Sequence, residues 1–218
     1  MRLNFLKRKS YNHLNKVRIF KESLLCNHRS LQELHPEAMV CPVLKSNAYG
    51  HGIKELAPIF DSMNCPFLIV DSLFEAYALY KLKVKTPILI MGYTNPTNFA
   101  VKKLPFSIAV FDLETATTLN KYQPGCNIHL FVDTGMCREG ILVKDLPDFV
   151  MELKKLENLN VVGLSSHFAD ADNSEDCKFV TIQMEEYQKA LEILIKNGIQ
   201  PIWKHVSASA GAYKIFFD

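Results

Sequence analysis

The strongest constraint in this chain is a repeated change of period. Short runs rich in Val, Ile, Leu and Phe occur at residues 38–44, 67–70, 87–91, 106–111, 127–132, 161–167 and 202–206. Between them lie stretches at 53–62, 73–82, 96–103, 114–122, 144–156 and 175–196 whose apolar residues recur at helical spacing. A further amphipathic helix is expected over residues 11–34, ended before Pro36. Strands apolar on both faces, alternating with helices, predict βα units around a parallel sheet. The seven runs fall one short of a closed (β/α)8 TIM-type barrel, so the expected fold is α/β, an incomplete barrel with an N-terminal helix. An open doubly wound sheet shares this periodicity, but no Gly-x-Gly-x-x-Gly follows the first run, which counts against it.

At 218 residues and 48% hydrophobic, with no Gly/Ser-rich linker, the chain is read as one domain over 1–218. A formal net charge of +2 gives no electrostatic case for nucleic acid or an anionic membrane, and Lys7 to Lys9 reads as a solvated cluster. Six cysteines without a Cys-x-x-Cys pair, and a basic N-terminus without an apolar signal core, predict a reduced, cytoplasmic chain. No apolar stretch reaches the length of a membrane span.

Reactive side chains collect where strands are expected to end, the end at which a (β/α) barrel carries its functional groups. Lys45 follows the first run and opens Lys45-Ser46-Asn47-Ala48-Tyr49-Gly50-His51-Gly52. If its strand is buried, the ammonium form is disfavoured and the amine is a nucleophile; otherwise Lys45 is a solvated strand end before a flexible loop. The fifth run leads into Asp133-Thr134-Gly135-Met136-Cys137-Arg138-Glu139-Gly140. Arg138 is there either a fork for a carboxylate or a loop arginine paired with Glu139 or solvent. His167, at the end of the sixth run, reads as a site residue or as a satisfied core histidine. His205-Val206-Ser207-Ala208-Ser209-Ala210-Gly211 leaves the last run for a helix N-terminus, whose free N–H groups suit an anion or need only Ser207 or Ser209 as cap.

Taken together, these stretches resemble the alanine racemase family. The family's cofactor-lysine motif is lysine, a small residue, asparagine, alanine, tyrosine, glycine, histidine, glycine, and it is filled by Lys45, Asn47, Ala48, Tyr49, Gly50, His51 and Gly52. Residues 133–140 resemble its Asp-Thr-Gly-Met-x-Arg-x-Gly, Ser166-His167-Phe168-Ala169 its Thr-His-Phe-Ala, and residues 205–210 its His-x-Ala-Asn-Ser-Ala. The resemblance implies a pyridoxal 5'-phosphate (PLP) enzyme that interconverts L- and D-alanine and supplies D-alanine for cell-wall peptidoglycan. It implies that Lys45 anchors PLP and serves as one of two bases, and that Arg138 positions the substrate carboxylate. Tyr49 belongs to the implied cofactor site, with His167 against the ring, His205 behind it and Ser209 at the phosphate; no metal is implied.

Two departures qualify the resemblance. Phe131 stands where many members carry a lysine that, carbamylated, steadies the arginine, and Ala208 replaces the usual asparagine. The chain ends at Asp218, about where the family begins its last barrel helix and strand, with a C-terminal β-domain to follow. The second base, a tyrosine reached from a partner subunit, would belong to that domain. The resemblance thus implies an N-terminal PLP-binding barrel domain with little or no activity of its own, and a homodimer for the full-length protein. A single-domain PLP carrier on the same barrel, a metal-dependent barrel hydrolase using His167, Asp170, Asp172 and His205, and a non-catalytic remnant are the alternatives. The hydrolase lacks a third strand-end ligand in a recognisable metal spacing.

Overall fold

The computed structural model describes residues 14–173, 177–207 and 209–214. Its strands are β1 (Leu68–Val70), β2 (Ile88–Ile90), β3 (Ser107–Val110), β4 (Cys126–Asp133), β5 (Ile141–Leu142), β6 (Leu159–Ser165) and β7 (Trp203–His205). The helical elements are α1 (Lys21–Leu34), α2 (Lys45–Tyr49), α3 (Ile53–Asp61), α4 (Leu73–Lys81), α5 (Leu113–Tyr122), α6 (Leu146–Leu153), α7 (Lys178–Lys196) and α8 (Ser209–Lys214), with a 3-10 turn at Pro96–Ala100. The sheet order is β1-β2-β3-β4-β6-β7, all parallel, with β5 beside the end of β4. This order rises without reversal, so the sheet lacks the switch point of a doubly wound fold.

Both faces of the sheet are covered, which is why its strands read as continuous apolar runs. Leu68, Val70, Ile88, Ile90, Ile108, Val110, Ile128 and Leu130 join one buried cluster with Leu56, Leu79, Leu119, Leu146 and Leu194 from the helices. Phe67, Ile69 and Leu89 form a second cluster, against Met91 and Trp203. The Phe67 ring lies 5.1 Å from Trp203 and 5.1 Å from His129, edge-on to both. Residues from the two ends and the middle of the strand order therefore meet across one interior. The fold is a curled part of a (β/α)8 barrel, as expected.

Seven strands are present among the described residues, but the membership differs from the sequence reading. The expected strand over 38–44 is reduced to a bridge between Val43 and Ile69, with Leu44 N donating to Ile69 O and Ile69 N to Pro42 O. Pro42 has no N–H to extend the ladder, and the chain turns sharply after Leu44. β5, two residues long, carries too little pattern to be read. The helix expected from residue 11 begins at Lys21; its first part, 11–13, lies outside the described residues. Leu14, Val17 and Phe20 are exposed, so their spacing has no face to bury, and an unpacked first turn does not hold. The helix expected over 96–103 is the shorter 3-10 turn, started by the Asn95 side chain accepting from Thr97 N.

Candidate active site

The site is built on the C-terminal ends of the strands, beginning with Lys45. Leu44 is buried, and the chain then enters a left-handed turn: φ is 54° at Ser46, 55° at Asn47, 54° at Ala48 and 53° at Tyr49. Each such residue costs about 1–2 kcal/mol in an L-amino-acid chain, so the turn persists only if its surroundings hold it. The Glu75 carboxylate accepts Ser46 N at 2.6 Å with one oxygen and Asp71 N at 3.0 Å with the other. Asn47 Oδ1 accepts Ile53 N at 2.9 Å, and His51 Nδ1 lies 2.9 Å from Ala48 O. Gly50, at φ 85°, closes the turn. Much of the lysine motif is thus scaffolding for an unusual backbone.

The Lys45 side chain is 38% exposed, with Nζ 4.0 Å from Asp71 Oδ1. Of the two sequence readings, the solvated strand end describes Lys45 better than an amine enclosed in apolar surroundings: the turn aims it out beside a carboxylate. Gly92 lets the end of β2 approach Asp71, since a Cβ there would lie 2.2 Å from Asp71 O. Tyr49 is largely exposed.

Arg138 sits in the loop after β4. Asp133 Oδ1 accepts Gly135 N at 2.8 Å and Cys137 N at 3.1 Å, which winds the loop and presents Arg138 at its tip. The guanidinium engages the neighbouring Glu139 through Nε and through Nη2, the latter at 2.7 Å. That bond holds the Arg138 pKa above its ordinary value and the Glu139 carboxyl below its own. The His167 pKa is pushed down by burial first, then by the charges of Arg138 and Lys45. Asp71 in turn acts on Arg138, and Lys45 on Glu139. Lys45, Asp71, Arg138, Glu139 and His167 therefore form one electrostatic cluster.

Deeper in the barrel, His129 Nδ1 lies 2.9 Å from His205 Nε2. His129 is fully buried and reaches across Gly163, its partner in the β4–β6 ladder, where a Cβ would stand 2.1 Å from Nδ1. Burial, with the His205 charge second, pushes His129 down to about 3, and burial pushes His205 down to about 4. Both rings are neutral at ordinary pH, and one donates to the other. Beyond β7, Ser209 opens α8 at an exposed position, and Gly211 leaves only the space that Ser207 Oγ fills, 2.4 Å from where a Cβ would be.

The model of the alanine racemase N-terminal domain family matches residues 19–216. The chain belongs to this family. Among its relatives are the alanine racemases of Methanococcus maripaludis, 36% identical over 182 residues (81% of this chain, 48% of the relative), and of Geobacter sp. strain M21, 33% identical over 204 residues (89% and 54%). Among solved structures, alanine racemase from Clostridium difficile 630 superposes with a TM-score of 0.82 at 29% identity, covering 88% of this chain and 54% of that one. Alanine racemase from Bacillus anthracis with bound L-Ala-P gives 0.81 at 27% identity, with 89% and 52% covered. The chain spans about half the length of the curated relatives it matches.

In this alanine racemase N-terminal domain, Lys45, Arg138 and His167 share one electrostatic cluster, His205 pairs with the buried His129, and Tyr49 and Ser209 are exposed. The metal-hydrolase alternative finds no support: among the described residues no group of three or more His, Cys, Asp or Glu could hold an ion. Asp71, Glu75, Gln183 and His129 escape the sequence reading. Ser72-Leu73-Phe74-Glu75 carries the signal of a helix capping box, and Ser72 Oγ does accept Glu75 N. The Glu75 carboxylate reaches past its usual target to two strand-end loops, which no local pattern encodes.

The neutral histidine pair makes the racemase barrel acid-sensitive. Each folded pKa is depressed below the unfolded value of 6.5, so the stabilisation is complete above that value and is lost as pH falls toward 4. Two protons taken up on unfolding correspond to roughly 2–3 kcal/mol per pH unit near pH 5. Unfolding free energies from urea titrations are expected to fall by about half that amount between pH 7 and 6, by that amount between pH 6 and 5, and less in His129→Phe. A flat profile in the parent would mean that the pair is not held neutral.

Proposed function

We propose that this chain is the PLP-binding barrel domain, over 1–218, of a cytoplasmic alanine racemase that supplies D-alanine for cell-wall peptidoglycan and works as a homodimer. The observation that carries the reading is the convergence of Lys45, Arg138 and His167 in one cluster at the strand ends. These residues suit PLP: an outward-facing amine for its aldehyde, uncharged imidazoles for its ring, and the hydroxyls of Ser207 and Ser209 for its phosphate.

Bound PLP would supply an electron sink for the pair left when the Cα proton departs. This chain's own groups do the rest. Lys45 would anchor the cofactor and handle the proton on one face of Cα, with Asp71 facing its amine. Glu139 uses two of the five N–H groups of Arg138 and leaves three for a substrate carboxylate. His167, on the loop after β6, would meet the ring, and His205, oriented by His129, would support it. A racemase needs an acid/base group on each face of Cα, so the opposite face takes a group from outside this barrel.

The test is a visible absorption titration of the purified chain with PLP, beside Lys45→Ala. A PLP band shifted in the parent and unshifted in the variant is expected. An unshifted spectrum in a folded parent would remove the cofactor assignment for this chain.

A further inference from the structure

We propose that Gln183, on α7, is a positioning residue for this site, acting through the loops that carry Arg138 and His167. The proposal rests on the reading of those two side chains as the substrate and cofactor contacts. Gln183 is fully buried, and each polar atom of its amide is used. Nε2 donates to His167 O at 3.0 Å and to Thr134 Oγ1 at 3.2 Å, while Oε1 accepts Ala169 N at 2.8 Å. The amide cannot be turned round: a backbone N–H needs the oxygen, and a backbone carbonyl needs the nitrogen.

The partners belong to two different strand-end loops. Thr134 directly follows β4 and starts the turn that ends in Arg138; His167 and Ala169 lie on the loop after β6. A second bond between the loops, Thr134 Oγ1 to Ser166 Oγ at 2.8 Å, is itself buried beside the Gln183 amide. Gly135 is packed against the same side chain, its absent Cβ 3.6 Å from Gln183 Cγ. One glutamine therefore fixes the separation of Arg138 and His167, and a helix that contributes no side chain to the chemistry sets the geometry of two that do. A buried amide with three partners is costly to leave half-satisfied, so the arrangement is held tightly.

Gln183→Met keeps the volume and removes all three bonds. The test is an NMR titration of the His167 ring in the full chain without cofactor, together with hydrogen exchange at Ala169 N. In the parent, burial and the charges of Arg138 and Lys45, opposed by Glu139, hold His167 below the ordinary value of 6.5. In Gln183→Met it is expected to rise toward that value, with exchange at Ala169 N at least about tenfold faster. The His129–His205 pair, held by other elements, keeps its titration and reports that the barrel is intact. If Gln183→Met does not fold, Gln183→Glu is read in the same way, since it keeps an acceptor for Ala169 N but cannot make both donated bonds. Unchanged His167 titration in a folded variant would overturn the proposal, as would failure of both variants to fold, which would make Gln183 a core residue only. Because the readout needs no PLP, it separates this proposal from the cofactor assignment: a parent that binds no PLP would still show or lack the His167 shift.

Discussion

Gly163→Ala is expected to destabilise the chain by about 3–5 kcal/mol, a large part of the 5–15 kcal/mol that holds a typical domain. The added Cβ would stand 2.1 Å from His129 Nδ1, 2.6 Å from its Cγ and 2.7 Å from its Cε1. The ring has no direction of escape: it is fully buried, edge-on to Phe67 at 5.1 Å and bonded to His205 at 2.9 Å. Overpacking accounts for part of the cost, and the broken imidazole bond, which strands a buried nitrogen, for the rest. The decisive measurement is a urea-denaturation cycle with His129→Ala. The double variant has room for the methyl, so it is expected to be more stable than the sum of the single effects predicts, by about 1–3 kcal/mol. Strict additivity would show that contact with His129 is not why position 163 is glycine.

Gly163 and His129 also show where a sequence stops being legible. The apolar runs and helical spacings identify β1 to β4, β6 and β7, most clearly in β1 to β3 and most of β4, where burial on both faces is a property of each strand by itself. The residues proposed to meet a ligand are legible for a similar reason: Lys45, Arg138 and His167 sit in contiguous motifs, each on one loop. What holds those loops is not contiguous. Glu75 joins the turn after Leu44 to the turn after Val70, Gln183 joins residue 134 to residues 167 and 169, and His129 crosses one strand to reach a second. Each side chain looks ordinary in its own segment, a cap residue, a helix glutamine, a strand histidine, and acquires its role only when the barrel curls. The misread strand over 38–44 has the same origin. Its composition suits a strand, but Pro42 and the left-handed turn after Leu44 leave it a single bridge.

Glu75→Ala is expected to weaken PLP binding by up to about 30-fold, the factor corresponding to a loss of about 2 kcal/mol from two charge-assisted hydrogen bonds near the surface. At roughly 1–2 kcal/mol for each of its four left-handed residues, the turn after Lys45 carries several kcal/mol of backbone cost. Glu75 offsets part of that cost at the first residue of the turn, Ser46, and ties it to the Asp71 loop whose carboxylate faces Lys45 Nζ. Without the carboxylate, Ser46 N and Asp71 N turn to water, and a relaxed backbone at residues 46–49 competes with the strained one. Only the strained form aims Lys45 beside Asp71, so the apparent affinity falls with its population. Glu75→Gln discriminates this account from a general effect of charge. Its amide keeps one acceptor oxygen and sets an NH2 against the other N–H, so it should retain about half of the binding free energy at stake. PLP titrations of the two variants, followed at the Lys45-dependent band, give the ordering parent, Glu75→Gln, Glu75→Ala. Parental affinity in Glu75→Ala would mean that Asn47, His51 and the buried Ala48 hold the turn by themselves.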